Sequence, residues 1–168
     1  GKIGLPLGLN MYELLPFWHT FFTELGFEVI TSPIYDKTIF QKGQNTIPSD
    51  TVCYPAKMMH GHIKWLLAQG VTSICMTYNV DEDTAQNCYN CPVVAYYPEV
   101  LAANIEELKN IHFFYDYLGL LNKKLLAKEL YKMLNPVYTD LRSAEIKNAL
   151  TPAFTGILKP ALRSRAKK

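Results

Sequence analysis

The sequence has no apolar run long enough to cross a bilayer as a helix, and no membrane partner is expected. It has no basic stripe through its body, so no nucleic-acid partner is expected either. The opening stretch, GKIGLPLGLN, is not a basic segment followed by a long apolar one. It therefore does not read as a secretion signal, and a cytoplasmic location is the expectation. That stretch carries two glycines after a strand, yet it matches neither a dinucleotide nor a P-loop phosphate fingerprint. No internal repeat is visible. Charged residues are few, at 19%, against 49% hydrophobic, so a packed core is expected over disorder in a chain of 168 residues. The chain starts at Gly1 on a strand, without methionine, as a processed or excised piece of a longer polypeptide would.

Charge is unevenly spread. The formal net charge is +2, but Lys159, Arg163, Arg165, Lys167 and Lys168 close the chain with no acid among them, leaving the rest net negative. Such a tail can touch nucleic acid or lipid, but a solvated end or a linker is the expectation.

Strand and helix patterns alternate. Lys2–Asn10 reads as a buried strand ending in a Gly/Pro turn, and Asn10 with Glu13 has the spacing of a capping box. Leu14, Trp18, Phe21, Phe22 and Leu25 then recur at helical spacing, with Pro16 in the first turns and Gly26 as the stop. Phe27–Pro33 is a second strand, and a short helix is expected near Lys37–Gln41. Pro55 opens a helix with Met59, Ile63, Leu66 and Leu67 on one face, stopped by Gly70. Val71–Tyr78 is the third strand and Ile111–Leu118 the fourth. Between them a polar loop and a short apolar stretch precede a helix opened by Pro98, with Leu101, Ile105 and Leu108 on one side. The pattern predicts an α/β fold: an open, mostly parallel four-stranded sheet flanked by helices, of the Rossmann or flavodoxin type, with a helical C-terminal extension. Residues 1–120 form the cysteine-bearing α/β domain in this reading, and 121–168 the helical extension with its basic tail.

Four cysteines stand on that scaffold: Cys53, Cys75, Cys88 and Cys91. Cys53 closes the loop after strand two and begins a helix. Cys75 ends strand three, and Cys88 and Cys91 follow in the next loop. Ligands of open parallel sheets gather outside the carboxyl ends of the strands, so all four thiols are expected at one rim. The positive end of a helix favours a thiolate at Cys53, the form that binds iron or zinc, where Ser or Asp would cap without offering a soft ligand. The spacing leaves alternatives. CYNC alone is weak, two isolated cysteines suit a zinc ribbon poorly, and a dithiol redox pair would normally open a helix after a strand. A cluster held from separate loops fits better, and four buried inert cysteines fit as well.

Three stretches carry a resemblance: IGLPLGLNMYELLPFWHTFFTELGFEV, IPSDTVCYPAKMMHGHI and YNCPVVAYYPEVL. They resemble a domain of large proteins related to the activators of 2-hydroxyacyl-CoA dehydratases, the CoA-substrate-specific enzyme activases, over the first two-thirds of the chain. The resemblance implies kinship with dehydratase subunits that hold a [4Fe-4S] cluster through cysteines. It implies Cys53 of CYPAK and Cys91 of NCPV as ligands, Cys75 as the third and Cys88 as an optional fourth. Cys75 departs from the family pattern, which has aromatics and a proline just before this cysteine where the present chain has TSI. The implied function is an iron–sulfur electron-transfer module of an ATP-driven activase-like protein. The partners would be ATPase domains of the same or an associated polypeptide and an acyl-CoA dehydratase. ATP hydrolysis would lie outside this segment. The alternatives are a cofactor-free scaffold or docking domain of a larger activase, and a zinc-binding module.

The remaining polar residues read more simply. His60 and His62 lie two apart on a helix and do not share a face, so each reads as an ordinary core or surface histidine, and His19 as structural. Lys57 stands one turn beyond Cys53, as a solvated lysine or a support for a thiolate. Ser49 and Asp50 form a turn or order the cysteine loop. Asp81, Glu82 and Asp83 read as a solvated loop. Tyr54, Tyr78 and Tyr89 flank the cysteines, either as shields from water or as rim packing.

Overall fold

The computed structural model describes residues 1–34, 37–77, 81–83, 88–120 and 122–155, with backbone alone for 81–83 and 88–89. Four parallel strands form the sheet: β1 (Lys2–Leu5), β2 (Glu28–Thr31), β3 (Ser73–Cys75) and β6 (His112–Phe114), in the order β2-β1-β3-β6. The expected α/β architecture is therefore present, with every pairing in this sheet parallel. The chain steps outward from β1 to β2 and then returns past β1 to β3. Right-handed crossovers in opposite directions put α1 (Asn10–Glu24) on one face of the sheet. The same rule puts α3 (Tyr54–Ala68) and α4 (Pro92–Asn104) on the other. The strand order reverses between β1 and β3, and the crevice outside their carboxyl ends is the usual ligand position in such sheets.

Strands β3 and β6 are shorter than the apolar runs that predict them. The pairing nevertheless continues one step past β3, where the Met76 N–H donates to the Phe114 carbonyl at 2.8 Å. The acidic run expected to be a loop is instead strand β4 (Asp81–Asp83), paired antiparallel with β5 (Cys88–Tyr89). Short helix α2 (Lys37–Gly43) extends two residues past the expected one and continues into a 3-10 turn, Gln44–Thr46.

The face under α1 is built from aromatics. Phe17, Trp18, Phe21 and Phe22 are all fully buried. Phe22 meets Phe27 edge-on at 5.7 Å, and Phe27 in turn meets Tyr138 at 4.8 Å. Phe154 closes on Phe17 at 5.2 Å. The C-terminal helices α5 (Lys123–Leu134) and α6 (Ser143–Ala153) thus share one core with the sheet through Leu126, Leu130, Ile146 and Leu150. The basic residues from Lys159 onward lie outside the described residues.

Two local expectations fail for identifiable reasons. Helix α1 has no side-chain cap. Leu9, ahead of it, sits at φ 50°, an unusual conformation for a non-glycine residue, and this turn makes Asn10 the first helical residue and not the cap. The Asn10 amide is left without a hydrogen-bond partner on either side-chain atom. Pro16 lies inside the helix, beyond its first turn, with its ring exposed. Helix α4 begins at Pro92, the residue after Cys91, and Pro98 lies within it. Ile105 is its C-cap and Leu108 belongs to the following 3-10 turn. A weakly amphipathic stretch, VVAYYP, hides a helix that its first proline announces.

Candidate functional site: a cleft between two thiol-capped helices

Cys53 and Cys91 occupy equivalent places. Cys53 is the N-cap of α3, its carbonyl accepting from the N–H groups of Ala56 and Lys57 at 3.1 Å each. Cys91 is the N-cap of α4, its carbonyl accepting from Ala95 N–H at 3.0 Å. Each lies just outside its helix with a proline in the first turn, Pro55 at the second helical position and Pro92 at the first. Neither thiol makes a capping hydrogen bond, and both side chains are exposed. Each follows a strand of the parallel sheet, so both helix starts lie on its carboxyl edge.

A cleft of about 430 Å³ separates the two starts. Pro48 and Val52 line it from the Cys53 side; Pro92, Val93, Tyr96 and Tyr97 line it from α4. The wall is apolar, and the two cysteines adjoin it from opposite banks.

Beneath the cleft a chain of hydrogen bonds joins three elements. The Thr46 hydroxyl donates to the Gly43 carbonyl at 2.8 Å. Having spent its one proton there, its oxygen accepts from His60 Nδ1–H at 2.8 Å. The His60 Nε2 lone pair then accepts the Tyr97 hydroxyl at 3.0 Å. His60 is fully buried, and burial lowers its pKa to about 4, so the ring stays neutral and keeps this role. The Tyr97 phenol is pushed up to about 12, first by burial and then by the charge of nearby Cys53. Glycine makes the chain reachable: a Cβ on Gly61 would run into the Ile39 carbonyl, and one on Gly43 into the backbone of Gly61. The two helices cross so closely that Thr46, just past α2, meets His60.

The other residues singled out fall as follows. Cys75 ends β3 and is completely buried; burial, then the Asp116 carboxylate, push its thiol well up. Cys88 lies in β5, and its side chain is outside the described residues. Among the described residues no group of three or more His, Cys, Asp or Glu side chains is placed to hold a metal ion. Lys57 donates to the Asp50 carbonyl at 2.6 Å, which fastens the cysteine loop. Ser49 accepts from Thr51 N–H at 3.2 Å, the turn expected of it. His62 is buried, its Nδ1 bonded to Ser32 Oγ at 2.9 Å, and Ser32 also accepts from Leu7 N–H. Tyr54 is exposed and stacks on Phe40 at 5.6 Å; Tyr78 lies outside the described residues and Tyr89 is described by backbone alone.

Thiolate ligation of an iron–sulfur cluster requires accessible, deprotonated sulfur. Cys53 and Cys91 meet the requirement of access, since both are exposed. Cys75, buried as a neutral thiol, does not fit it in this conformation.

The sequence reading missed the chain of Thr46, His60 and Tyr97 beneath the cleft. A signal was present: His60 follows Cys53 by seven residues, two helical turns on the same side, and Cys91-Pro92 repeats the cysteine-then-proline helix start of Cys53 and Pro55.

Strand order, parallel pairing and a cleft between helix starts on the carboxyl edge define a doubly wound α/β domain with a thiol-rimmed site. Residues 2–159 match the family model described as the CoA enzyme activase uncharacterised domain, and the chain belongs to that family. No curated protein and no solved structure matches the chain. Among the described residues no helix is long and apolar enough to cross a membrane.

Proposed function

We propose that this domain is an iron–sulfur electron-transfer module of an ATP-driven, activase-like protein acting on acyl-CoA chemistry in the cytoplasm. The observation that carries the reading is the pair of exposed thiols, Cys53 and Cys91, each capping a helix on the rim of one cleft. Helix N-termini favour thiolates, and thiolates are the ligands a cluster requires. The reading makes Cys53 and Cys91 ligands, with Cys88 and Cys75 as further thiols of the set, Cys75 only after a rearrangement that exposes it. A [4Fe-4S] cluster so held would supply one-electron transfer. The apolar wall of Val52, Val93 and Tyr97 would keep water from its sulfurs. ATPase domains of the same or an associated polypeptide, and an acyl-CoA dehydratase, are the partners in this reading.

The test is anaerobic reconstitution with ferrous iron and sulfide, followed by iron analysis, visible absorption and electron paramagnetic resonance. The expected result is a retained cluster with a charge-transfer band, lost in Cys53→Ala and in Cys91→Ala. A protein that retains no iron without oxygen would sink the reading, and retention of zinc alone would replace it with a zinc module.

A further inference from the structure

We infer that Tyr97 and His60 are positioning residues: their hydrogen bond is a strut that fixes the separation of the Cys53 and Cys91 thiols across the cleft. The inference deepens the reading above, since a separation matters only if the two thiols share a ligand.

The geometry is on two helices. Cys53 caps α3 and His60 lies two turns further on; Cys91 caps α4 and Tyr97 lies in its second turn. The Tyr97 hydroxyl reaches His60 Nε2 at 3.0 Å, and the ring of Tyr97 stands edge-on to the imidazole at 5.6 Å. This bond ties α3 to α4 directly, and the cleft between their starts is lined chiefly by apolar groups. Apolar walls slide; a directional bond does not. The strut also has its polarity fixed. Thr46 gives its proton to Gly43, so His60 must donate from Nδ1 and accept at Nε2, and Tyr97 must be the donor. The far end of the chain is anchored to the backbone of α2, which lies against α3 with no room for a Cβ at Gly43 or Gly61. The rigid body that carries Cys53 thus grips α4 through one phenol. A purely packing aromatic at position 97 would need no such anchor.

Bridging chemistry reads the separation without any metal. In Cys88→Ser protein, bifunctional maleimides of graded length are offered to the folded chain, and the bridged Cys53–Cys91 product is quantified by mass spectrometry. Bridging is expected to peak sharply at one reagent length. Tyr97→Phe, which keeps the ring, and His60→Leu should each lower the bridging rate at that length about fivefold, the weight of one net hydrogen bond. Both should spread the product to longer reagents while single-ended labelling of each thiol is unchanged. His60→Gln, whose side-chain carbonyl accepts from Tyr97, should restore the sharp peak. A Tyr97→Phe protein, folded by circular dichroism, with the parent's length profile overturns the strut, as does a parent that does not bridge at all. Sharp bridging in the Cys88→Ser protein, with no iron retained by the chain that keeps all four cysteines, supports the strut and removes the cluster reading.

Discussion

Aromatic rings build both the α1 face and the α3–α4 rim, but under opposite constraints. On the α1 face Phe17, Trp18, Phe21 and Phe22 have no solvent exposure, and Trp18 Nε1 is buried without a hydrogen-bond partner. Shape alone specifies that region, and one polar atom is sacrificed to it. On the rim, Tyr54 and Tyr96 are more than half exposed, while Tyr97 is buried with its hydroxyl satisfied by His60. There direction matters more than volume. The first region determines whether the chain folds; the second determines how two helix ends face one another.

The sharpest way to break the comparison is Trp18→Ala. It should cost about 3–5 kcal/mol of stability, as large aromatic deletions in closed cores do, while leaving alkylation rates at Cys53 and Cys91 unchanged in the folded protein. Chemical denaturation with thiol labelling checks both halves.

Acid should act on the rim side instead. His60 and His62 are held near pKa 4 by burial against an ordinary value of 6.5. The unfolded chain therefore takes up protons that the folded chain refuses, so the stabilising contribution is complete above 6.5 and is lost as pH falls toward 4. Denaturation midpoints across that window should decline; a flat profile would contradict the buried, neutral histidines. The opposite sign holds for Cys75 and Tyr97, whose raised values make stability fall as alkaline pH climbs past their ordinary values.

Gly61→Ala should have a smaller effect, about 1–3 kcal/mol, because the added methyl presses α2 away from α3 through the Ile39 carbonyl. Unlike Trp18→Ala, it should also disturb Thr46 and His60, visible as altered chemical shifts of the His60 ring. The smallest effect expected is from Asn122→Ala. Its side chain accepts from the N–H groups of Lys124 and Leu125 at 3.1 Å each, and removing that cap of α5 should cost about 1 kcal/mol without a trace at the rim.

The two regions were also unequally legible in the sequence. The α1 face was plain, because Trp18, Phe21 and Phe22 recur at helical spacing and any burial of that stripe gives the same core. The parallel sheet followed from alternating strands and helices. The order β2-β1-β3-β6 did not, since local periodicity carries no record of which strands pair. At the rim the Cys53 helix start was readable from proline and from the stop at Gly70. The α4 start was misplaced because VVAYYP is apolar nearly all round, so its period gave no phase and Pro98 looked as good an opener as Pro92. For the histidines the sequence left core and surface open. Two positions apart, they face different sides of α3, which usually leaves one in water; here α2 covers what the sheet does not, and both are buried. The capping box failed on the turn itself, where Leu9 at φ 50° shifts Asn10 by one position.

The most direct test of the central proposal, that Cys53 and Cys91 jointly hold a redox-active centre, is residue-resolved alkylation of the native protein before and after anaerobic loading with iron and sulfide. The account predicts that the unloaded protein labels at Cys53 and Cys91 and not at Cys75, and that loading protects both exposed thiols together. Equal labelling of Cys53 and Cys91 with and without iron would contradict it.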